Sequence, residues 1–150
     1  MSDTPKAARR PVPRLDDYPH RITEIVRYAD LDPQGHVNNA VFATYFETGR
    51  VAMFRLPDLS IGVADATFVL VRSETDFLKE LHWPGTVEIG SAVADFGRSS
   101  FTVVQVVFRD RVAIAAGRAI MVCIDQQTRR SRPVPEEIVT RLSMWKYRGE

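Results

Sequence analysis

The sequence predicts an α+β domain in which an antiparallel sheet wraps around one long central helix. Three observations carry this prediction. Apolar residues recur at helical spacing over residues 39–56, two-residue alternation takes over from Phe68 onward, and the later segments are joined by short polar turns rather than by crossover helices. The first strand is expected over 21–28. A polar loop follows over 29–38, with Pro33 and Gly35 as breakers. In the helix that comes next, Val41, Phe42, Tyr45, Phe46, Ala52 and Met53 make a wide apolar stripe, which suits a helix covered on more than one side. Asn38 or Asn39 can cap its entry by accepting from a first-turn amide, and Pro57 cannot continue it.

Phe68, Leu70 and Arg72 alternate with Val69, Val71 and Ser73, and Val87, Ile89, Ser91 and Val93 line one face of a further strand. A hairpin turn over 95–99 around Gly97 leads to a strand over 101–108. Asp110 and Arg111 then turn the chain into a strand over 112–124, completing a meander. Pro135, Glu136 and Glu137 open a last short helix with Ile138, Leu142 and Trp145 on one face, expected on an outer surface. Val103, Val104, Val106 and Val107 make one strand apolar on both faces, which points to burial by a partner copy.

Composition narrows the function. The 150 residues are 45% hydrophobic and 26% charged, enough apolar surface for one globular domain. Twenty Lys and Arg against nineteen Asp and Glu give a net charge of +1, so there is no global field for a nucleic-acid polyanion. The single Cys123 excludes an intrachain disulfide, and no Cys/His cluster has zinc-finger spacing; neither a metal nor another cofactor is expected. Cys123 lies in an apolar strand with no adjacent base, so a buried inert thiol is expected. Residues 1–17, basic and proline-rich with few large apolar side chains, are expected to be a flexible tail ahead of a domain over 18–150. Asp3 and the prolines argue against reading that tail as a transit peptide, and with no membrane span in view the expected location is the cytoplasm.

The densest polar constellation is Asp30-Leu31-Asp32-Pro33-Gln34-Gly35-His36-Val37-Asn38-Asn39, between the first strand and the helix. Either aspartate can serve simply as a turn cap, since Asp readily hydrogen-bonds nearby backbone. A carboxylate here is also placed beside first-turn helix amides, which are unpaired and can stabilise a developing anion. His36 brings an imidazole, a side chain that can orient a substrate carbonyl or serve as a general base.

The run RYADLDPQGHVNNAVFATYFETGR resembles the signature of hotdog-fold acyl-CoA thioesterases of the 4-hydroxybenzoyl-CoA thioesterase-like class, and the distal VCIDQQTRRSRPVPEEI fits the same family. The resemblance spans about 18–142. It implies hydrolysis of a thioester to a carboxylic acid and CoA by a homodimer or homotetramer whose acyl pocket lies between subunits. Asp32 would be nucleophile or general base, the Asn39 amide would polarise the carbonyl, and His36 would orient the substrate or act as a base. Asn38 would bind substrate or water, and Asp30 would order the loop. Glu47 and Arg50, three apart on the helix, are expected to form an ordinary pair, although some hotdog enzymes carry a catalytic carboxylate on this helix. The CoA phosphates would meet Arg129, Arg130 and Arg132 after the last strand and, more weakly, Arg98 and Ser99 at the hairpin. Two alternatives stay open: a noncatalytic acyl-CoA-binding module, and an acyl-carrier-protein thioesterase, which the GHVNN run also resembles. A hydratase lacks a matching Asp/His signature outside this loop. Since His36-Val37-Asn38-Asn39 replaces the bulkier or apolar residues of the aromatic-acyl members, acyl preference is open.

Overall fold

The computed structural model describes residues 11–57, 59, 62 and 65–149. In chain order the elements are β1 (His20–Ile25), α1 (Asn39–Phe54), β2 (Ala66–Phe77), β3 (Thr86–Phe96), β4 (Ser100–Arg109), β5 (Val112–Asp125) and α2 (Glu136–Ser143). The strands form one antiparallel sheet in the order β1-β3-β4-β5-β2, which leaves β1 and β2 as its edges.

The α1 helix lies across this sheet because Phe42, Tyr45, Phe46, Gly49, Arg50 and Met53 share one face and are all buried. Close approach is enforced by two glycines. A Cβ on Gly49 would stand 2.8 Å from Gln105 Nε2 and Ile89 Cγ2, and one on Gly117 would stand 2.8 Å from the Phe46 ring. The opposite flank of α1, at Ala43, Thr44, Glu47 and Val51, is exposed, so one chain covers the helix on a single side. The expected Glu47–Arg50 pair gives way for this reason. Arg50 turns inward, and its Nη1 donates to Gln105 Oε1 at 3.1 Å, while Gln105 Nε2 donates to the Phe46 carbonyl and Ser91 Oγ, each at 2.9 Å. A buried guanidinium needs such acceptors, and burial still holds its pKa below the ordinary arginine value.

The other boundaries move for local reasons. β1 stops at Ile25, where the Val26 amide turns to the Gly85 carbonyl and residues 28–30 wind into a tight turn. Because the residue before a proline is pushed out of helical conformation, α1 ends at Phe54 rather than at Leu56. β2 runs well beyond the expected alternating stretch, to Phe77.

The two-sided apolarity of β4 is met largely within the chain. Val106 and Phe108 share a buried cluster with Leu15 and Tyr18 from the N-terminal side, and Tyr147 packs against it. Leu15–Asp17 form a 3-10 turn with Leu15 buried, so this part of the expected tail is packed. Residues 1–10 of that tail lie outside the described residues. α2 lies at the surface with Glu136, Glu137 and Thr140 exposed, and its apolar face places Ile138 and Leu142 in the core cluster that holds Met53 of α1. Among the described residues, no helix is long and apolar enough to cross a membrane.

Candidate active site

The site is built at the junction of loop and helix. Arg27 and Asp30 close its base: Asp30 Oδ2 accepts from the Arg27 amide at 2.9 Å, and Oδ1 accepts from Arg27 Nε at 2.9 Å and Nη2 at 2.6 Å. Burial alone would raise this carboxyl, but the hydrogen bonds and charge of Arg27 outweigh it and hold its pKa below the ordinary carboxylate value. The Asp30 carbonyl then accepts from the Asn38 amide at 2.9 Å, which ties the loop closed. Asp30 therefore orders the loop.

Asp32 sits inside that loop, half-buried. Its Oδ1 accepts from the Gln34 amide at 2.9 Å and the His36 amide at 3.2 Å, and its own amide donates to the His36 carbonyl at 2.8 Å. Gly35 takes the positive φ of 81° that this reversal needs. Oδ2 takes part in neither bond. The turn-capping bonds thus occupy one oxygen of the carboxylate, Oδ1.

Asn38 is the helix cap: its Oδ1 accepts from the Ala40 amide at 2.9 Å, leaving Nδ2 for another partner. Asn39 is the first helical residue, so its amide has no acceptor within the helix and points along the positive end of the dipole. Asp32, His36, Asn39, Phe42, Phe77 and Glu80 line one cavity of about 330 Å³. The structure thus brings Asp32, His36 and Asn39 together. A larger cleft of about 850 Å³ opens between the exposed side of α1, at Glu47 and Val51, and the β2 edge, at Phe68 and Leu70.

The cationic candidates lie elsewhere. Arg98 and Ser99 form the β3–β4 turn. Their carbonyls accept from the Val134 and Cys123 amides, which places the turn beside the segment after β5. Arg129 and Arg130 are exposed there, and Arg132 Nη1 donates to the Asp65 carbonyl at 3.3 Å. The five residues therefore gather at the Ala66 end of β2, whereas the Asp32 cavity stands at its Phe77 end. Twelve residues of strand separate the two ends, about 35–40 Å at the usual rise per residue. Cys123 is buried, and burial pushes its thiol pKa up, which fits an inert packing residue.

Sequence reasoning missed Glu80 and His82. They follow β2 and reach His36 through a backbone bridge between His36 and His82. The one signal available was an acid and an imidazole two positions apart on an extended segment, which puts both on one side. Gln105, which accepts from Arg50, and Ser91, which accepts from Gln105, carried no local signal.

A family model for the thioesterase-like superfamily matches residues 26–142. Among solved structures, a thioesterase of Thermus thermophilus, determined in complex with coenzyme A and zinc, is 34% identical with a TM-score of 0.75, covering 87% of this chain and 96% of its own. A protein of Pseudomonas aeruginosa is 27% identical with a TM-score of 0.82, covering 93% of this chain and all of its own. A predicted thioesterase of Bacillus stearothermophilus, 24% identical with a TM-score of 0.79 over 87% of this chain and 98% of its own, shares the fold. No curated protein sequence matches. A helix laid on a five-stranded antiparallel sheet, with this loop at its N-terminus and these similarities around it, is the hotdog fold, and the chain belongs to the thioesterase-like superfamily.

Proposed function

We propose that the protein is an acyl-CoA thioesterase that hydrolyses its substrate to a carboxylic acid and CoA at the cavity of Asp32. The observation that carries this reading is the carboxylate itself: half-buried, fixed through Oδ1 by two amides, and lining the same cavity as the first residue of α1. Asp32 acts through Oδ2, as nucleophile on the carbonyl carbon or as base for water. The Asn39 amide polarises the carbonyl and stabilises the oxyanion, aided by the helix dipole. His36 orients the carbonyl, and Asn38 Nδ2 contacts the substrate. Superfamily membership and the relative solved with coenzyme A support the substrate class.

The working unit in this reading is a homodimer or larger homo-oligomer. β2 is an open edge on which Leu70, Val71 and Phe77 are exposed. Pairing β2 with its copy about a two-fold axis runs the strands antiparallel, so the partner's Ala66 end falls beside this chain's Phe77 end. A CoA whose thioester lies at Asp32 can then meet a second protomer's basic cluster of Arg98, Ser99, Arg129, Arg130 and Arg132. The cytoplasmic location expected from sequence belongs to this reading.

The test is release of free thiol from a panel of acyl-CoAs of increasing chain length, with acyl-pantetheine and acyl-carrier-protein thioesters beside them. Turnover of an acyl-CoA supports the proposal. Tight binding without release identifies a binding module, and turnover confined to the carrier protein moves the substrate there.

A further inference from the structure

Two of the chain's three histidines, His36 and His82, converge on one carboxylate, although 46 residues separate them in sequence. His36 Nε2 stands 3.2 Å from Glu80 Oε2, and His82 Nε2 stands 3.6 Å from the same oxygen. All three donor atoms lie within 4.8 Å of one another. The arrangement is framed by backbone, since residues 36 and 82 form an antiparallel bridge and the Val37 amide donates to the Leu81 carbonyl at 2.8 Å. The imidazoles meet edge to face, with centroids 5.0 Å apart and planes at 85°, so the nitrogens are held close without ring stacking.

We propose that His36, Glu80 and His82 bind a divalent first-row transition-metal cation of the zinc class. Tetrahedral zinc with donors about 2.0–2.1 Å away requires those donors to be roughly 3.3 Å apart, which two of the three separations already approach. Two neutral imidazoles and one carboxylate are a borderline donor set that suits zinc, cobalt or nickel rather than calcium or magnesium. Three protein donors leave a coordination position open. Because His36 and Glu80 also line the Asp32 cavity, that position is available to a water or to a ligand oxygen or sulfur there. His20 lies on β1 with its ring against Trp145, so it does not compete for the same ion.

The inference stands apart from thioester hydrolysis and is read without substrate. The chelator-treated full chain is titrated with Zn²⁺ by calorimetry and with Co²⁺ by visible absorption. One ion per chain is expected, together with the intense visible bands of a four- or five-coordinate Co²⁺ site. His82→Ala and Glu80→Gln should each weaken binding about tenfold or more, since loss of even an outer-shell partner costs 10–100-fold. Both residues are exposed, and circular dichroism verifies that the variants fold. Absence of stoichiometric uptake, or affinity that either substitution leaves within tenfold of the parent, would show an ion pair only and overturn the assignment.

Discussion

The two ends of β2 carry opposite kinds of polar residue. At the Phe77 end, Asp32 is half-buried, held by amides and lodged in a cavity against the start of α1. At the Ala66 end, Arg129 and Arg130 are exposed, and the hydrogen bonds there are mostly those of ordinary turns around Asp125. The first end has the preorganisation that chemistry needs, while the second offers charge that an anionic ligand can order. With a strand's length between them, one chain cannot put both on one carbonyl group, and this separation is what the following changes probe.

The largest effect is expected from Asp32→Asn. The amide keeps an oxygen for the Gln34 and His36 amides, so the loop should hold its shape while the attacking group is lost. Thiol release from acyl-CoA should fall about a hundredfold or more in kcat, and a fall below about threefold removes Asp32 from the chemistry. Next in size is Val71→Lys at the open edge of β2. Val71 is 58% exposed in the single chain, so its stability should change little, within about 0.5 kcal/mol. Sedimentation should nevertheless show a shift toward monomer, and the KM for acyl-CoA should rise about tenfold as the partner's cations are lost. A variant that remains dimeric with unchanged KM rules out pairing along β2.

Asp30 separates loop order from chemistry. Its carboxyl is held below its ordinary value, so its contribution is fully present above about pH 4 and is lost as the pH falls through the depressed folded value. Asp30→Asn should therefore destabilise the fold by about 1–3 kcal/mol at neutral pH, with the difference from the parent shrinking below about pH 4. Denaturant melts at pH 7 and pH 3 check this. Asn38→Ala, which removes the α1 cap, should cost about 1 kcal/mol at both.

What could be read from the sequence follows from how locally each signal is generated. Phe42, Tyr45, Phe46 and Met53 repeat at helical spacing because one sheet face buries them, so α1 was visible before any fold was known. Glu74, Thr75 and Asp76 are as much strand as Phe68, but they lie on an edge with little burial to impose alternation, and the far end of β2 was invisible for that reason. The loop around Asp32 was legible because its bonds run between residues two to four apart. Arg50 looked like a partner for Glu47 because helical spacing is local, whereas its actual acceptor, Gln105, lies 55 residues away. Glu80 and His82 were silent for the same reason: only the closure of the chain carries them to His36.

The smallest expected effect decides most about the comparison. Arg130→Ala removes one exposed cation, so the KM for acyl-CoA should rise only about threefold, while a short acyl-pantetheine, which has no nucleotide phosphates, should be unaffected. Mixing and reassembling this variant with Asp32→Asn makes the effect diagnostic. If Asp32 and Arg130 serve the same site within one chain, no site in the mixture is intact. If they serve it across the two-fold, each mixed dimer holds one site with a native Asp32 from one chain and a native Arg130 from the other. Random reassortment then makes about a quarter of all sites native. A component with the parental KM should appear on mixing and be absent from either variant alone, which would place the chemistry and the phosphate grip of one site on different copies of the chain.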